Sequence, residues 1–503
     1  MAVETELKLR IAPAQLARLK RHPLLKKYQV TRPVTRRLYN IYFDTPKLEL
    51  HKSAMALRLR RVGRQWLQTL KGGGSVKAGL HQRNEWEMPV QGEALDFSSP
   101  QAAEWNEYLP PPLRKKLQPA FITDFSRSSR MLDWCGAQIE LCMDQGEVRS
   151  GECSTPICEL ELELKSGEPH QLFELALAIL EVVPFELETV SKAEQGYRLL
   201  SGFVERPVKN GVPGLDKTTT LAKALQAMIW SCLLHLQGNL RGAAGSDDAE
   251  YVHQMRVALR RLRVVLRMAG KVFADEQLTA LNKKIAMLGI VLGRSREWDV
   301  FIEQTMRPMC ARMPAHTGLQ ALLVGSERQR NLHYDALRDA AQVREIQGLI
   351  LHFAIWMSGP YWSQAEFALP VEDFAARYLR KLAKRFAQFG RHLDIRDAEH
   401  LHALRILAKK LRYSAEFFAT LYGKRKTGLY LEALGEVQGA LGQINDVAVA
   451  HRLLDELAAT VDLAGHQEAV TLARGWIAHD LSRQFAVLHK VIKRFNEQQA
   501  FWK

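Results

Sequence analysis

Over roughly the first 204 residues the chain alternates charged with apolar side chains at a period of two. The run Val3–Arg10 opens the pattern: in an extended strand Glu4, Glu6 and Lys8 share one face while Thr5, Leu7 and Leu9 share the other. The alternation returns over Met55–Arg61, where Arg58 and Arg60 oppose Leu57 and Leu59, and over Arg83–Glu87, where Arg83, Glu85 and Glu87 oppose Asn84 and Trp86. It is cleanest over Cys158–Lys165, with Glu159, Glu161, Glu163 and Lys165 set against Leu160, Leu162 and Leu164. Further strands are predicted over Arg36–Phe43, Gln65–Lys71, Phe121–Asp133 (carrying Arg127 and Arg130) and Gln138–Asp144, with helices from Pro13 and over Pro169–Val182. Gly72, Gly73 and Gly74 follow Lys71 with no Gly-Lys-Ser/Thr ending, so they read as a flexible hairpin connection, not a phosphate-binding loop.

Two arrangements explain the charged faces. An open antiparallel sheet would turn them to water and pack its leucines on a core. A closed barrel would instead line its interior with them and turn the leucines outward against helices. A charged interior is costly unless ions neutralise it, so the barrel implies a metal and a polyanion together. The paired glutamates Glu4/Glu6, Glu85/Glu87 and Glu159/Glu161/Glu163 suit a hard, oxygen-seeking cation such as Mg²⁺. The interleaved Lys8, Arg58, Arg60, Lys71, Arg83, Arg127 and Lys192 suit phosphoryl oxygens.

Between Glu205 and Lys217 the composition turns to proline, glycine and asparagine, the mark of a linker. From Thr218 onward strand signals give way to amphipathic helices, and this half repeats itself. His253, Arg256, Arg260, Arg261 and Arg263 match His402, Arg405, Lys409, Lys410 and Arg412 at an offset of 149 residues, and Leu292, Gly293, Asp299 and Val300 are echoed by Leu441, Gly442, Asp446 and Val447. At about 100° per residue, the histidine and the bases three, seven and ten positions later form one narrow stripe. A histidine among arginines resists protonation until an anion arrives, so the stripe reads as a pH-sensitive anion-binding surface. The histidines have no carboxylate or cysteine at ligand spacing, which argues against a metal site there.

Composition narrows the partners. With 503 residues and 47% hydrophobic content the chain holds about two to four folded domains. Its net charge of +15 draws polyanions without choosing among them. Six cysteines without CxxC spacing read as free thiols, and the most apolar window, Gly348–Met357, is too short to span a bilayer. The expectation is a cytoplasmic protein with no membrane partner. No aromatic–basic stacking platform or groove-reading motif points to nucleic acid.

The opening Glu4, Glu6, Lys8 triplet resembles the signature of the CYTH superfamily of triphosphate tunnel metalloenzymes. Tyr42–Pro46, Leu57–Arg60, Arg83–Glu87, Glu159–Glu163 and the ending Ser191, Lys192, Gly196, Tyr197 follow in the family's order, so the resemblance covers about residues 1–204. It implies an eight-stranded antiparallel tunnel in which bases hold a linear triphosphate and glutamates hold Mg²⁺ or Mn²⁺. Family members act on inorganic triphosphate, thiamine triphosphate or RNA 5′-triphosphates, and some are adenylate cyclases. The glutamate triplet offers Glu159/Glu161 or Glu161/Glu163 as the acidic pair. The second half, about residues 216–503, resembles the CHAD domain, which implies two pseudo-twofold-related helical bundles whose basic faces bind long-chain polyphosphate. The fusion is similar to bacterial CYTH-CHAD inorganic triphosphatases, implying hydrolysis of triphosphate to pyrophosphate and phosphate. Glu4, Glu6 and Lys192 are then expected at the catalytic centre. His253, Arg256, Arg260, Arg263, His402, Arg405, Lys409 and Arg412 are expected on the polyphosphate face. The domains are expected at 1–204 and 218–503, joined by a 205–217 linker.

Overall fold

The computed structural model describes residues 2–99, 105–272, 275–359, 362, 369–391, 395, 397–460 and 466–502. They form two compact units, Met1–Glu205 with Val343–Ser358, and Arg206–Gln342 with Gly359–Lys503.

The first unit is built on β1 (Ala2–Arg10), β2 (Val34–Asp44), β3 (Met55–Val62), β4 (Gln65–Lys77), β5 (Leu80–Val90), β6 (Gln118–Trp134), β7 (Ala137–Ser150), β8 (Cys153–Ser166) and the two-residue β9 (Glu186–Leu187). All pairings are antiparallel in the order β5-β4-β3-β2-β6-β7-β8-β1, and a β5–β1 pairing closes the sheet into an eight-stranded barrel, with β9 added beside β1. Because side chains alternate across each strand, closure turns the charged set inward and the leucines outward. Leu7, Leu9, Leu141, Leu160 and Leu162 are fully buried on the outside, where β1 and β8 pack against the helix His170–Val182. On the opposite side Leu57, Leu59 and Leu70 join Leu50, Trp105 and Leu109 in a second apolar cluster. Each leucine so buried contributes about 1.5–3 kcal/mol.

The small helices of this unit are α1 (Pro13–Arg21), α2 (Pro23–Tyr28), α3 (Glu49–Lys52), α4 (Pro111–Arg114), α5 (His170–Val182) and α6 (Lys192–Ser201). Helix α6 packs into one end of the barrel, where Ala193 and Tyr197 meet the inward Leu38, Tyr42, Phe121, Phe125, Val148 and Ile157. Gly196 makes this possible, since a β-carbon there would stand 2.1 Å from the Phe121 ring. Ser191 caps the helix by accepting the Glu194 N–H at 3.2 Å, which fixes Lys192 at the first helical position.

Three expectations are corrected. The Gly72–Gly74 run is no hairpin: β4 continues through it to Lys77, with a bulge between Gly72 and Ser75. Gly74 has φ 101° and lies so close to the Gln82 carbonyl that a β-carbon would fall 1.9 Å away, so the backbone there admits only glycine. The 205–217 stretch is no free linker either. From Arg206 it belongs to the second unit, where Val208 exchanges two 2.9 Å hydrogen bonds with Asn239 and Leu215 donates to Thr420 Oγ1. Finally, residues 343–358 leave the second half and join the barrel's unit, where Gln347 accepts the Leu187 N–H at 3.1 Å and Arg344 pairs with Glu181 at 2.7 Å. Apolarity alone marked Gly348–Met357 as too short to span a bilayer and gave no sign of which unit it would join.

The remaining helices are α7 (Leu221–Gly245), α8 (Ala249–Ala269), α9 (Glu276–Phe301), α10 (Arg307–Arg312), α11 (Thr317–Arg338), α12 (Ala340–Met357), α13 (Val371–Arg391), α14 (Ala398–Phe417), α15 (Lys424–Ala458) and α16 (Gln467–Asn496). A π-helical turn, Ile302–Met306, separates α9 from α10. In the second unit the repeat pairs α7 with α13, α8 with α14 and α9 with α15, and each helix touches its own equivalent. Leu221 donates to Leu369 O and Val371 to Thr219 O, so even the entries to α7 and α13 pair reciprocally. Like-with-like contact is what a pseudo-twofold requires. No helix among the described residues is long and apolar enough to cross a membrane, and the six cysteines are free.

Gly196→Ala should force the Phe121 ring or α6 to shift and lower stability by about 1–3 kcal/mol, read as a reduced unfolding midpoint of the barrel.

Candidate functional site: a charged tunnel and a basic cleft

The barrel interior is a set of cross-strand charge pairs. Glu4 stands opposite Arg83 and Glu6 opposite His81 on the β1–β5 side, while Glu6 faces Glu163 and Lys8 faces Glu161 on the β1–β8 side. Lys8 Nζ lies 2.9 Å from Glu6 and is ion-paired with Glu161. Lys71 pairs with Glu4 and sits 3.3 Å from Glu85, which Arg58 approaches at 3.5 Å. Arg127 donates to both oxygens of Asp144, at 2.8 and 2.6 Å, and to Glu161. Lys192 is 2.6 Å from Asp144 and 3.0 Å from Glu161, and it also pairs with Glu159. Arg60 Nε donates to Asn40 Oδ1 at 2.8 Å.

All seven expected phosphate-binding bases therefore lie on the inner wall or, for Lys192, at its plug. The expected acids divide. Glu159 and Glu161 come together with Asp144 so that one oxygen from each lies within 4.8 Å of the others, and all three are buried. Among the described residues Glu4, Glu6, Glu85, Glu87 and Glu163 do not join that group. Glu4 and Glu85 are held by Lys71, Glu6 by Lys8, and Glu163 by Lys165. Glu87 is exposed and accepts from Thr69 at 3.0 Å. Cross-strand register gives the two acidic pairs different neighbours: Glu159 lies opposite Asp144, whereas Glu163 lies opposite Glu140. Asp144 was missed. The signal for it was the alternation Glu140, Cys142, Asp144 within a recognised strand.

Burial sets the electrostatics. It opposes ionisation of Glu161, but Arg127, Lys192 and Lys8 outweigh it and hold this carboxyl well below the usual range. Burial pushes Glu159 up to about 7 against the pull of Lys192, with Glu161 adding repulsion. Lys8 and Lys192, though desolvated, are held above their ordinary range by the surrounding carboxylates. Among the described residues no carboxylate forms an ion pair with Arg60, and burial together with Arg58 and Arg127 brings it down to about 10 against the pull of Tyr42 and Glu87. Three buried carboxylates with oxygen donors fit a hard divalent cation.

In the second unit, His253, Arg256 and Arg260 from α8 and His402, Arg405 and Lys409 from α14 line one cleft of about 760 Å³. Both copies of the repeat thus contribute to a single site. Arg296, Asp446 and Trp476 also line it and were not singled out as ligand contacts. Arg263 and Arg412 do not line it. Each lies ten residues beyond its histidine, about 15 Å along the helix; Arg263 faces solvent, and Arg412 is bound to Glu416 at 2.9 Å. The neighbouring Arg261 is structural, buried with its guanidinium 2.6 Å from the same Glu416. Gly293 makes room for Arg256, whose Nη1 would lie 2.8 Å from a β-carbon.

Few acids neutralise this cleft, and its bases lose proton affinity. Burial, then Arg260 and Arg405, brings Lys409 down to about 6. Burial, then Arg296, brings His253 down to about 4. Arg256 falls to about 10, through burial first and then repulsion from Arg260.

A closed eight-stranded barrel with an ionic interior, followed by a helical unit whose repeated basic helices line one cleft, defines a two-domain protein of the tunnel-plus-helical-module class. The CYTH domain model matches residues 2–197 and the CHAD domain model residues 227–455. The chain accordingly carries a CYTH domain at its N-terminus and a CHAD domain after it. It is 36% identical over 208 residues to the inorganic triphosphatase of Haemophilus influenzae, a match covering 40% of this chain and 55% of that protein. The chain thus spans about half the length of that curated relative. It is 26% identical over 431 residues to an uncharacterized protein of Mycobacterium tuberculosis, covering 77% of each. The crystal structure of the CHAD domain from the plant Ricinus communis superposes with a TM-score of 0.50 at 30% identity, over 59% of this chain and 99% of that one.

Asp144→Ala should leave Arg127 and Lys192 short of a buried counter-ion and cost about 3–5 kcal/mol, measured by denaturant unfolding.

Proposed function

We propose that the tunnel hydrolyses inorganic triphosphate to pyrophosphate and phosphate with Mg²⁺ or Mn²⁺ bound, and that the helical cleft binds polyphosphate. The observation that carries the first part is the trio Asp144, Glu159 and Glu161, buried and ringed by Lys8, Arg127 and Lys192 inside a closed barrel. The likeness to the Haemophilus influenzae inorganic triphosphatase over the CYTH part supports the same reading.

The chemistry follows from exchange of partners. Without substrate Lys8, Arg58, Lys71, Arg127 and Lys192 are each neutralised by a carboxylate, which limits the uncompensated charge in the interior. An entering triphosphate takes Lys8, Arg58, Arg60, Lys71, Arg83, Arg127 and Lys192, and the carboxylates they release are freed for a cation. A bound divalent ion would neutralise phosphate oxygens and act as a Lewis acid. Asp144, Glu159 and Glu161 are the residues that would hold it, with Glu4 and Glu6 at the adjoining wall available for metal or water. Phosphoryl transfer asks chiefly for positioning and charge neutralisation, which the bases provide.

Glu4→Ala and Glu6→Ala should each bring metal-dependent phosphate release from triphosphate to background without unfolding the chain. Unchanged turnover in both variants would remove the assignment. A panel of triphosphate, thiamine triphosphate, ATP and long polyphosphate, each with Mg²⁺ and with Mn²⁺, should show triphosphate turned over fastest; cyclic AMP from ATP would point to a cyclase instead.

For the cleft, Lys409 is largely uncharged at neutral pH when empty and faces Arg256 and Arg260 from α8, Arg405 from α14 and Asp446 from α15. A bound polyanion raises its pKa, so binding takes up a proton and affinity is higher at lower pH. Polyphosphate affinity should therefore fall as pH rises above about 6, by at most about tenfold per unit for this one group. Lys409→Met should flatten that dependence, as titration calorimetry in two buffers of different ionisation enthalpy would show. An unchanged slope would exclude Lys409 from the site.

A further inference from the structure

His81 is a tunnel-wall group that the ion-pair network does not use. His81, on β5, is 1% exposed and stands directly opposite Glu6, two residues from Arg83. Its Nε2 lies 3.1 Å from the backbone carbonyl of Glu188. A carbonyl only accepts, so Nε2 carries the proton and Nδ1 of the neutral ring is an acceptor. That Nδ1 is buried and has no hydrogen-bond partner among the described residues. Burial, and then the charge of Lys8, lowers the imidazole to about 4, so the ring stays neutral at ordinary pH. An acceptor left unpaired in this way is unfavourable, and a water or ligand donor in the tunnel would relieve it.

We propose that His81 presents its Nδ1 lone pair to the attacking water of triphosphate hydrolysis and holds that water on the tunnel wall beside Glu6 and Lys8. The inference rests on the triphosphatase reading above and assigns the water a protein partner. The water oxygen bonds to the terminal phosphorus as the bond from that phosphorus to the bridging oxygen breaks, and the bridging oxygen leaves with pyrophosphate. One water proton stays on the product phosphate and the other passes to solvent, so the imidazole ends as it began. A neutral acceptor suits this role. The loose transition state needs an oriented water more than a strong base, and a ring without charge neither repels the phosphate nor competes for the bases that bind it. Glu6, the nearest carboxylate in register, is already committed to Lys8 at 2.9 Å.

The competing use of the ring is as a strut, through Nε2, for the segment whose Glu188 N–H donates to the Lys8 carbonyl at 2.8 Å. Two substitutions separate the roles. In His81→Asn the side-chain oxygen falls near the position of Nδ1 but cannot reach Glu188. In His81→Gln the amide nitrogen can reach Glu188, and nothing replaces Nδ1. If His81 orients water, His81→Gln should lower kcat on triphosphate with Mg²⁺ by about ten- to hundredfold at little change in KM, while His81→Asn stays within about threefold of wild type. The reverse order, or equal losses that track a lowered melting temperature in both variants, would overturn the proposal. Wild-type chain with no activity on triphosphate would sink the triphosphatase reading and the proposal together, whereas an active wild type with His81→Gln unimpaired sinks the proposal alone. A readout independent of either variant's folding is ¹⁵N-histidine NMR of the full wild-type chain. An unprotonated Nδ1 signal that moves when triphosphate and Mg²⁺ are added supports the assignment, and one that stays fixed refutes it.

Discussion

The pairing of β1 with β5, Glu4 opposite Arg83 and Glu6 opposite His81, is the contact on which the N-terminal domain depends. Without it the sheet would have two edges and a choice of faces to solvate. With it, each of the eight barrel strands is flanked on both sides, and the period-two alternation of each becomes a single division into inside and outside. The leucines of β1, β3 and β8 are then committed to the helix and loop layers around the barrel, and the acids and bases have only one another. A one-residue slip in any strand would send leucines inward and charges into those layers. The register is thus held by packing outside and ion pairing inside at once.

Such an interior is a poor way to gain stability. Buried ion pairs roughly break even against apolar side chains of the same volume, because desolvation consumes most of the Coulomb gain. The tunnel nonetheless buries Lys8, Arg58, Asp144, Glu159, Glu161 and Lys192 at under a tenth exposed. What the arrangement provides is preorganisation: bases already desolvated, charged and aimed inward before any anion arrives. Helix α6 belongs to the same device. Gly196 lets it sit against Phe121, Ser191 caps its first turn, and Lys192 is thereby delivered into the carboxylate trio from outside the sheet.

Most of this was legible in the chain because strand periodicity survives folding unchanged: the inward faces of β1, β3, β5 and β8 are the faces the alternation defines. What could not be read depended on register or on distant partners. Asp144 entered the site through its position opposite Glu159, a relation no local pattern encodes. Glu85 and Glu87 look like a ligand pair in sequence, yet Lys71 and Thr69 on the neighbouring strand occupy them. The glycines after Lys71 carry a bulge inside a strand, which composition alone does not distinguish from a turn. In the helical half the repeat located the cleft, but helix length trimmed it. Arg263 and Arg412 lie on the right stripe and too far along it. The repeat also keeps its acid: at the 149-residue offset Asp446 answers to Glu297 and both line the cleft, whereas Asp299 is tied to Arg330 at 2.7 Å and Tyr334 at 3.0 Å.

The two domains hold clustered bases by opposite means, and the proposed function has both receive a polyanion. In the tunnel most bases are paired with carboxylates, which keeps Lys8 and Lys192 protonated despite burial. Loading it is then an exchange of anions around cations whose charge does not change. In the cleft the bases crowd one another with little acid between them, and the field is relieved by losing protons, most of all at Lys409. Loading it must restore those protons, so its affinity is coupled to pH where that of the tunnel's bases is not. The difference follows from architecture. A closed barrel alternates acids and bases on facing strands at fixed spacing, whereas two helices related by a repeat bring like stripe against like, and the like charges find relief only in protonation or in a ligand.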